Sequence, residues 1–241
     1  MLLVRSFLFQ VYLYLSVLLA SLTVVLLAPF SYSIKFSIGR AWGQSMIWVG
    51  SKLCGLKFVI EGKENIPKKA SVIMIRHSSV FEAYAQLVVF PKQTWIIKKE
   101  LTWIPLFGWA LNLLKAIRID RSSGRAAVTQ VIEKGQQRLK QGIWITIFPE
   151  GTRMKPGETK KYGISGAALA KAADTQIVPV AHNAEDLWAT GDLKKRPGTI
   201  RFCIGLPIET RNHHPKEITE NVKLWIETKM QSISKYHHKS K

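Results

Sequence analysis

Hydrophobic and polar positions fall into three regimes along the chain. Between Arg5 and Lys35 there is no charged residue, and the run Ser6–Phe30 (SFLFQVYLYLSVLLASLTVVLLAPF) has Gln10 as its most polar member. As a helix this run would span about 37 Å, against roughly 30 Å for a hydrocarbon core. A cleaved signal peptide needs an apolar stretch of only about 7–15 residues. Ala28 offers a weak cleavage site, so the pattern favours a retained membrane helix. It is compatible with a full span and with one arm of a hairpin. In the second regime Ile38, Trp42, Met46, Val49 and Leu53 share one helical face, while Arg40, Gln44 and Ser51 lie elsewhere. This is an amphipathic helix, with Trp42 and Trp48 suited to a membrane interface. The same face would serve a core helix of the domain that follows.

From Leu56 the period changes. Leu56, Phe58 and Ile60 alternate with Lys57, Val59 and Glu61, as in a half-buried strand. Ser71–Ile75, Gln93–Ile97, Ala116–Ile119, Ile143–Phe148, Ile177–Val180 and Thr199–Ile204 are short apolar runs of strand character. Helical stretches fall between and after them, at Phe81–Val89, Leu106–Leu114, Arg125–Gln141, Gly166–Ala173 and Lys216–Ser234. The alternation predicts an α/β domain: a mixed, mostly parallel sheet flanked by helices, preceded by hydrophobic N-terminal helices. The expected division is 1–54 for the membrane-associated helices, 55–234 for the α/β domain and 235–241 for a basic, frayed tail.

Composition narrows the function. The chain of 241 residues is 47% hydrophobic and 21% charged, which excludes wholesale disorder. Its net charge of +19 calls for an anionic partner, either nucleic acid, an anionic membrane or a phosphorylated substrate. No acidic residue precedes Glu61, and positive charge after the first helix places that side in the cytoplasm. Cys54 and Cys203 are isolated, so neither a disulfide framework nor a cysteine zinc site is expected.

Three polar clusters follow three apolar strands directly: Arg76–Glu82, Asp120-Arg121 and Pro149–Arg153. If the strands are parallel, all three meet at the carboxyl edge of one sheet, where open α/β sheets bind ligands. His77 with Glu82 suits a general base and its orienting carboxylate. Ser79 to Glu82 also has the spacing of a helix capping box, which would make Glu82 purely structural. As metal ligands the pair lacks both the helical spacing and a third donor. No Walker loop, G-x-G-x-x-G or G-x-S-x-G motif occurs. His182 follows an apolar strand and reads as structural or peripheral, while His213, His214, His237 and His238 read as exposed.

Taken in order, these motifs resemble the 1-acylglycerol-3-phosphate acyltransferase family, the lysophosphatidate acyltransferases. His77…Glu82 stands where that family has H-x4-D, with Glu for the usual Asp, as in a bacterial H-x4-E subgroup. Ile117–Arg121 matches the strand ending in D-R, Phe148–Arg153 reads F-P-E-G-T-R, and Ile177–Val180 matches the fourth, proline-containing strand. Glu61–Pro67 and Lys98–Leu101 also fit, and the likeness covers about Leu56 to Ile208.

The resemblance implies a glycerolipid acyltransferase-like fold and transfer of a fatty acyl group from a thioester to the free hydroxyl of lysophosphatidate, giving phosphatidate. His77 would be the base and Glu82 its orienting group, with no covalent acyl-enzyme. Arg121 and Arg153 would hold the acceptor phosphate, supported by Glu150, Gly151, Thr152, Lys98, Lys99 and Pro179. No metal or cofactor is implied beyond the co-substrate, acyl-CoA or acyl-carrier protein. The partners would be a phospholipid membrane, a lysophospholipid and the acyl donor, with no nucleic acid. The place would be the cytoplasmic face of the inner membrane, with Trp42–Leu53 as the seat. The alternatives are another lysophospholipid or lipid-like alcohol as acceptor, an inactive lipid-binding scaffold, and a membrane-tethered nucleic-acid-binding protein.

Overall fold

The structure, a computed structural model, describes residues 1–120 and 123–237. Two long helices come first, α1 (Leu2–Leu26) and α2 (Tyr32–Cys54). α1 sits four residues earlier than the uncharged run, because Pro29 disfavours helix in the residues before it. Ser31 caps α2 by accepting from the Ile34 N–H, and Gly55 ends it in the left-handed region.

The α/β elements then follow as the apolar runs predict: β1 (Leu56–Glu61), β2 (Val72–Ile75), α3 (Phe81–Val89), β3 (Gln93–Lys98), α4 (Phe107–Leu113) and β4 (Ile117–Ile119). After them come α5 (Arg125–Lys140), β5 (Trp144–Ile147), α6 (Ser165–Ala172), β6 (Ile177–His182), β7 (Gly198–Ile204) and α7 (Pro215–Ile233). The strands form one seven-stranded sheet in the order β1-β7-β6-β2-β5-β3-β4. Every neighbouring pair is parallel except β6 with β7. β2, β3, β4, β5 and β6 therefore point the same way, and their carboxyl ends share one edge.

Burial on both faces explains the unbroken apolar runs. In β2, Ile73 and Ile75 face the layer of α1–α4, while Val72 and Met74 face α5–α7. α1 and α2 share the first of these cores: Phe9, Leu13, Val24, Phe36, Met46 and Val49 are buried with Phe81, Tyr84, Trp188 and Phe202.

The apolar face of α2 is thus used by the fold. It packs between α1 and α3. Gly43 lets α2 and α3 approach closely, since a Cβ there would stand 2.8 Å from the Tyr84 carbonyl oxygen. The Trp42 indole N–H donates to Ser16 Oγ at 3.0 Å and its ring meets Tyr84 edge-on. Arg40 donates to the Leu87 and Phe90 carbonyls, capping the end of α3. Of the two tryptophans expected at an interface, Trp48 is exposed. The Trp42–Leu53 seat read from sequence is therefore corrected: Met46 and Val49 are interior. The outward apolar surface belongs to α1, where Leu3, Val4, Phe7, Leu8, Leu15 and Leu18 are among the exposed residues. Among the described residues α1 is the one helix long and apolar enough to cross a membrane. Its start is tied to the far end of the domain. Ser6 Oγ accepts from the Lys195 N–H at 2.9 Å, Lys195 Nζ donates to Gln10 Oε1 at 2.6 Å, and Phe9 meets Trp188 edge-on.

Candidate active site

The short connection from β2 to α3 carries His77, and Glu82 lies in the first turn of α3. His77 Nδ1 is 2.7 Å from Glu82 Oε1. The same carboxylate accepts the Ser79 N–H with both oxygens, at 3.2 and 3.0 Å. Glu82 thus caps the turn and holds the histidine at once, so the two sequence readings of this residue coexist. Burial pushes the Glu82 carboxyl up, but the His77 hydrogen bond and nearby His182 outweigh it and hold the group below its ordinary value.

His182, at the end of β6, is fully buried with Nε2 3.6 Å from Glu82 Oε2. Its Nδ1 accepts from the Ala184 N–H at 3.3 Å, so Nε2 carries the hydrogen and donates to the Arg76 carbonyl at 2.9 Å. Burial lowers its pKa, favouring the neutral ring. His182 thus supports the connection that bears His77. Its spacing from His77, more than a hundred residues, offered no sequence signal.

With an ionised Glu82 as acceptor, Nδ1 of His77 carries a hydrogen, leaving the Nε2 lone pair available. Nε2 makes no hydrogen bond among the described residues, and the side chain is 16% exposed. The ring is stacked on Phe148 with centroids 4.0 Å apart and planes inclined by 24°.

Phe148 opens the second cluster, which follows β5. Gly151 turns the chain at φ 70°, in the region that favours glycine. The Met154 N–H donates to the His77 carbonyl at 2.7 Å, so Thr152 and Arg153, both exposed, emerge beside His77. Glu150 points inward. Its Oε1 accepts from the His77 N–H at 3.4 Å, and its buried Oε2 makes no hydrogen bond among the described residues. Burial pushes this carboxyl up to about 7.

Farther along the same edge, Lys98 ends β3 and stands 3.5 Å from Glu100, while Lys99 pairs with Asp120 after β4. That pair raises the Lys99 pKa. Arg121 lies outside the described residues. Pro179 is buried in mid-strand opposite Met74, with its carbonyl accepting from the Gly205 N–H at 2.9 Å, so it supports the sheet. The edge thus carries, strand by strand from β2 through β5 and β3 to β4, His77, a glycine turn with Arg153, two lysines and Asp120. The assumed parallel direction holds for all three clusters.

Sequence reasoning missed a polar hub beneath His77. The Arg76 guanidinium is fully buried, with Nε 3.1 Å from Glu185 Oε2, Nη2 donating to the Glu158 carbonyl at 2.8 Å and Nη1 3.6 Å from Glu227. His237, read as exposed, has a side chain 6% exposed and lies 2.8 Å from Glu185 Oε1. The tail read as frayed is held through residue 237: Ser234 Oγ and the Lys235 N–H both donate to Asp186, at 2.7 and 3.0 Å. Its polar sequence hid this, because the partners come from the turn after β6. His213 and His214 lie at the start of α7, where His213 pairs with Glu217 and His214 caps Lys216. His238 is outside the described residues.

Known proteins resemble this chain in sequence and fold. The family model described as Acyltransferase matches residues 57–183. The chain is 36% identical over 209 residues to the 1-acyl-sn-glycerol-3-phosphate acyltransferase of Pseudomonas aeruginosa, covering 86% of this chain and 81% of that one. It is 30% identical to the enzyme of the same name from Limnanthes alba, covering 84% and 72% respectively. Among solved structures, the 1-acyl-sn-glycerophosphate acyltransferase PlsC from Thermotoga maritima superposes with a TM-score of 0.80 at 19% identity, over 96% of this chain and 95% of that one. This likeness bears on the fold, and it reproduces the mixed, mostly parallel sheet flanked by helices. On the extent of the family and sequence matches, the chain is an enzyme of the acyltransferase family and groups with the 1-acyl-sn-glycerol-3-phosphate acyltransferases.

Proposed function

We propose that the enzyme moves a fatty acyl group from an acyl thioester to the free hydroxyl of lysophosphatidate, forming phosphatidate at a membrane surface. The observation that carries this reading is the His77–Glu82 pair, with Nδ1 held at 2.7 Å and Nε2 left open beside the Phe148–Arg153 turn. His77 Nε2 removes the hydroxyl proton as that oxygen attacks the thioester carbonyl carbon. Glu82 stabilises the imidazolium that forms. The tetrahedral intermediate collapses with cleavage of the carbon–sulfur bond, and the thiolate of CoA or acyl-carrier protein takes the proton back from Nε2. No covalent acyl-enzyme is required. Arg153 and Arg121 bind the acceptor phosphate in bidentate fashion, and Lys98 and Lys99 add positive charge along the same edge. Gly151 and Thr152 admit the glycerol backbone. Glu150, buried and pointing inward, braces the His77 N–H.

The bilayer meets the outer face of α1, with exposed Trp48, Trp103 and Trp109 at headgroup depth. The catalytic domain faces the cytoplasm, on the inner membrane. Wild type and His77→Ala are to be assayed with labelled acyl-CoA, and with acyl-carrier protein in parallel, against a panel of lysophospholipids in micelles. Product from lysophosphatidate that vanishes in the variant is the expected result. Product from a different acceptor alone would reassign the substrate, and full turnover by His77→Ala would overturn the mechanism.

A further inference from the structure

Four segments meet at the Arg76 guanidinium: the end of β2, the loop at 157–158, the turn at 185–186 and the stretch after α7. Glu185 is their common acceptor. Its Oε2 takes Arg76 Nε–H at 3.1 Å, and its Oε1 lies 2.8 Å from His237 Nε2, 3.4 Å from the Gly157 N–H and 3.5 Å from Arg76 Nη2. His237 Nε2 is also 3.0 Å from Arg76 Nη2, but a guanidinium nitrogen can only donate. The shorter contact therefore assigns the Nε2 hydrogen to Glu185. His237 and Arg76 are two donors flanking one buried carboxylate.

We propose that His237 is a positioning residue for the base: acting through Glu185 and Arg76, it fixes the backbone from which His77 reaches Glu82. The inference rests on the acyl-transfer reading of His77. Arg76 precedes His77 directly. Its N–H is pinned to the Val180 carbonyl at 3.1 Å and its carbonyl to His182 at 2.9 Å. The guanidinium is the third anchor of the residue, held by Glu185 at 3.1 Å, the Glu158 carbonyl at 2.8 Å and Glu227 at 3.6 Å. Without His237, Oε1 keeps contacts of 3.4 Å and longer, and the carboxylate can swing towards Nη1, which makes no hydrogen bond among the described residues and has Glu227 3.6 Å away. Movement of Arg76 passes to His77 across one peptide, and a displacement of about 1 Å at a reacting group costs on the order of a hundredfold in rate. Partial release through Glu185 is expected to cost about tenfold.

The test uses the full chain in micelles, with His237→Ala, His237→Gln and His237→Asn. A glutamine amide nitrogen reaches the place of Nε2, whereas that of asparagine falls short. His237→Ala and His237→Asn are expected to lower kcat about tenfold with KM within twofold, and to speed hydrogen exchange of the amides of residues 76–79. His237→Gln is expected to restore both. Unchanged kcat in His237→Ala, or equal behaviour of Gln and Asn, would overturn the proposal. If His237→Ala does not fold, the comparison of Gln with Asn decides. If the wild type turns over no donor–acceptor pair, the acyl-transfer reading falls. The exchange comparison then still decides the positioning role: faster exchange supports it and unchanged exchange refutes it.

Discussion

Replacing Glu82 by Gln tests the centre of the site with the smallest change of shape. The carboxylate accepts from His77 Nδ1 at 2.7 Å and from the Ser79 N–H at 3.0 and 3.2 Å, with His182 Nε2–H 3.6 Å away. All of these neighbours are donors, so an amide has no good orientation. With its oxygen towards His77, the amide nitrogen opposes Ser79 and His182. With its nitrogen towards His77, it donates to Nδ1 and moves the ring hydrogen to Nε2, which removes the base. The charge is lost in either case. A charge-assisted bond to a buried group contributes about 1.5–3 kcal/mol, and the Coulomb term at an effective dielectric constant near 20 is about 4 kcal/mol at 4 Å. A loss of about 3–5 kcal/mol of imidazolium stabilisation lowers kcat by roughly 10² to 10⁴-fold. KM should change little, because Glu82 is fully buried. The assay is initial-rate acyl transfer at saturating lysophosphatidate, with thermal unfolding in parallel. Glu82→Asp, one methylene shorter, should lose less, since the charge remains and the reach grows by about 1.5 Å. Glu82→Gln with more than half the wild-type kcat would refute the reasoning.

Other expected outcomes follow from the geometry. Arg153→Ala should raise KM for the phosphate-bearing acceptor by about 10- to 100-fold, since a charge-assisted contact is lost, while acceptors without phosphate are unaffected. Glu150 titrates near 7 when folded against an ordinary 4.5, so the folded form holds a proton that the unfolded chain releases between those values. Stability therefore falls by about 3 kcal/mol as pH rises through that window, and Glu150→Gln should flatten the dependence in urea unfolding at pH 5 and 8. Leu15→Arg with Leu18→Arg on the outer face of α1 should lower the membrane-bound fraction in flotation without lowering Tm. Deleting residues 1–30 should instead destabilise the domain, because Phe9, Leu13 and Val24 belong to its core.

Much of this was legible in the sequence because burial leaves local marks. Strands covered on both faces read as unbroken apolar runs, and each polar cluster of the candidate site follows such a run immediately. Strand direction leaves no such mark, and the antiparallel step between β6 and β7 is invisible in IVPVAH or GTIRFCI. The fate of α2 was ambiguous for a related reason: an apolar stripe fits a lipid interface and a protein core equally well, and the small step at Gly43 favours the core. His182 reads correctly as structural, but the exposed reading of His237 fails because its partner, Glu185, comes from a distant segment. A histidine in a basic tail carries no sign of the carboxylate it will meet. The D-R motif was recognised, but Arg121 lies beyond the described residues.

The anchoring of α1 to Lys195 and Trp188 has a consequence for synthesis. Ser6 and Lys195 are 189 residues apart, so the contact cannot form until almost the whole chain exists. At about 5–20 residues per second, the first helix waits roughly 10–40 s for its partner. During that interval α2 can already pack on the inward face, but Phe9 lacks Trp188 and the outward-facing apolar residues have no cover. A ribosome already at a bilayer gives them one. The order of events is then lipid first and domain second, with the last strands closing onto a helix the membrane has already shaped. Translation away from lipid would leave the same helix open to self-association for those seconds, so yield should depend on when membranes are supplied, not only on whether they are present.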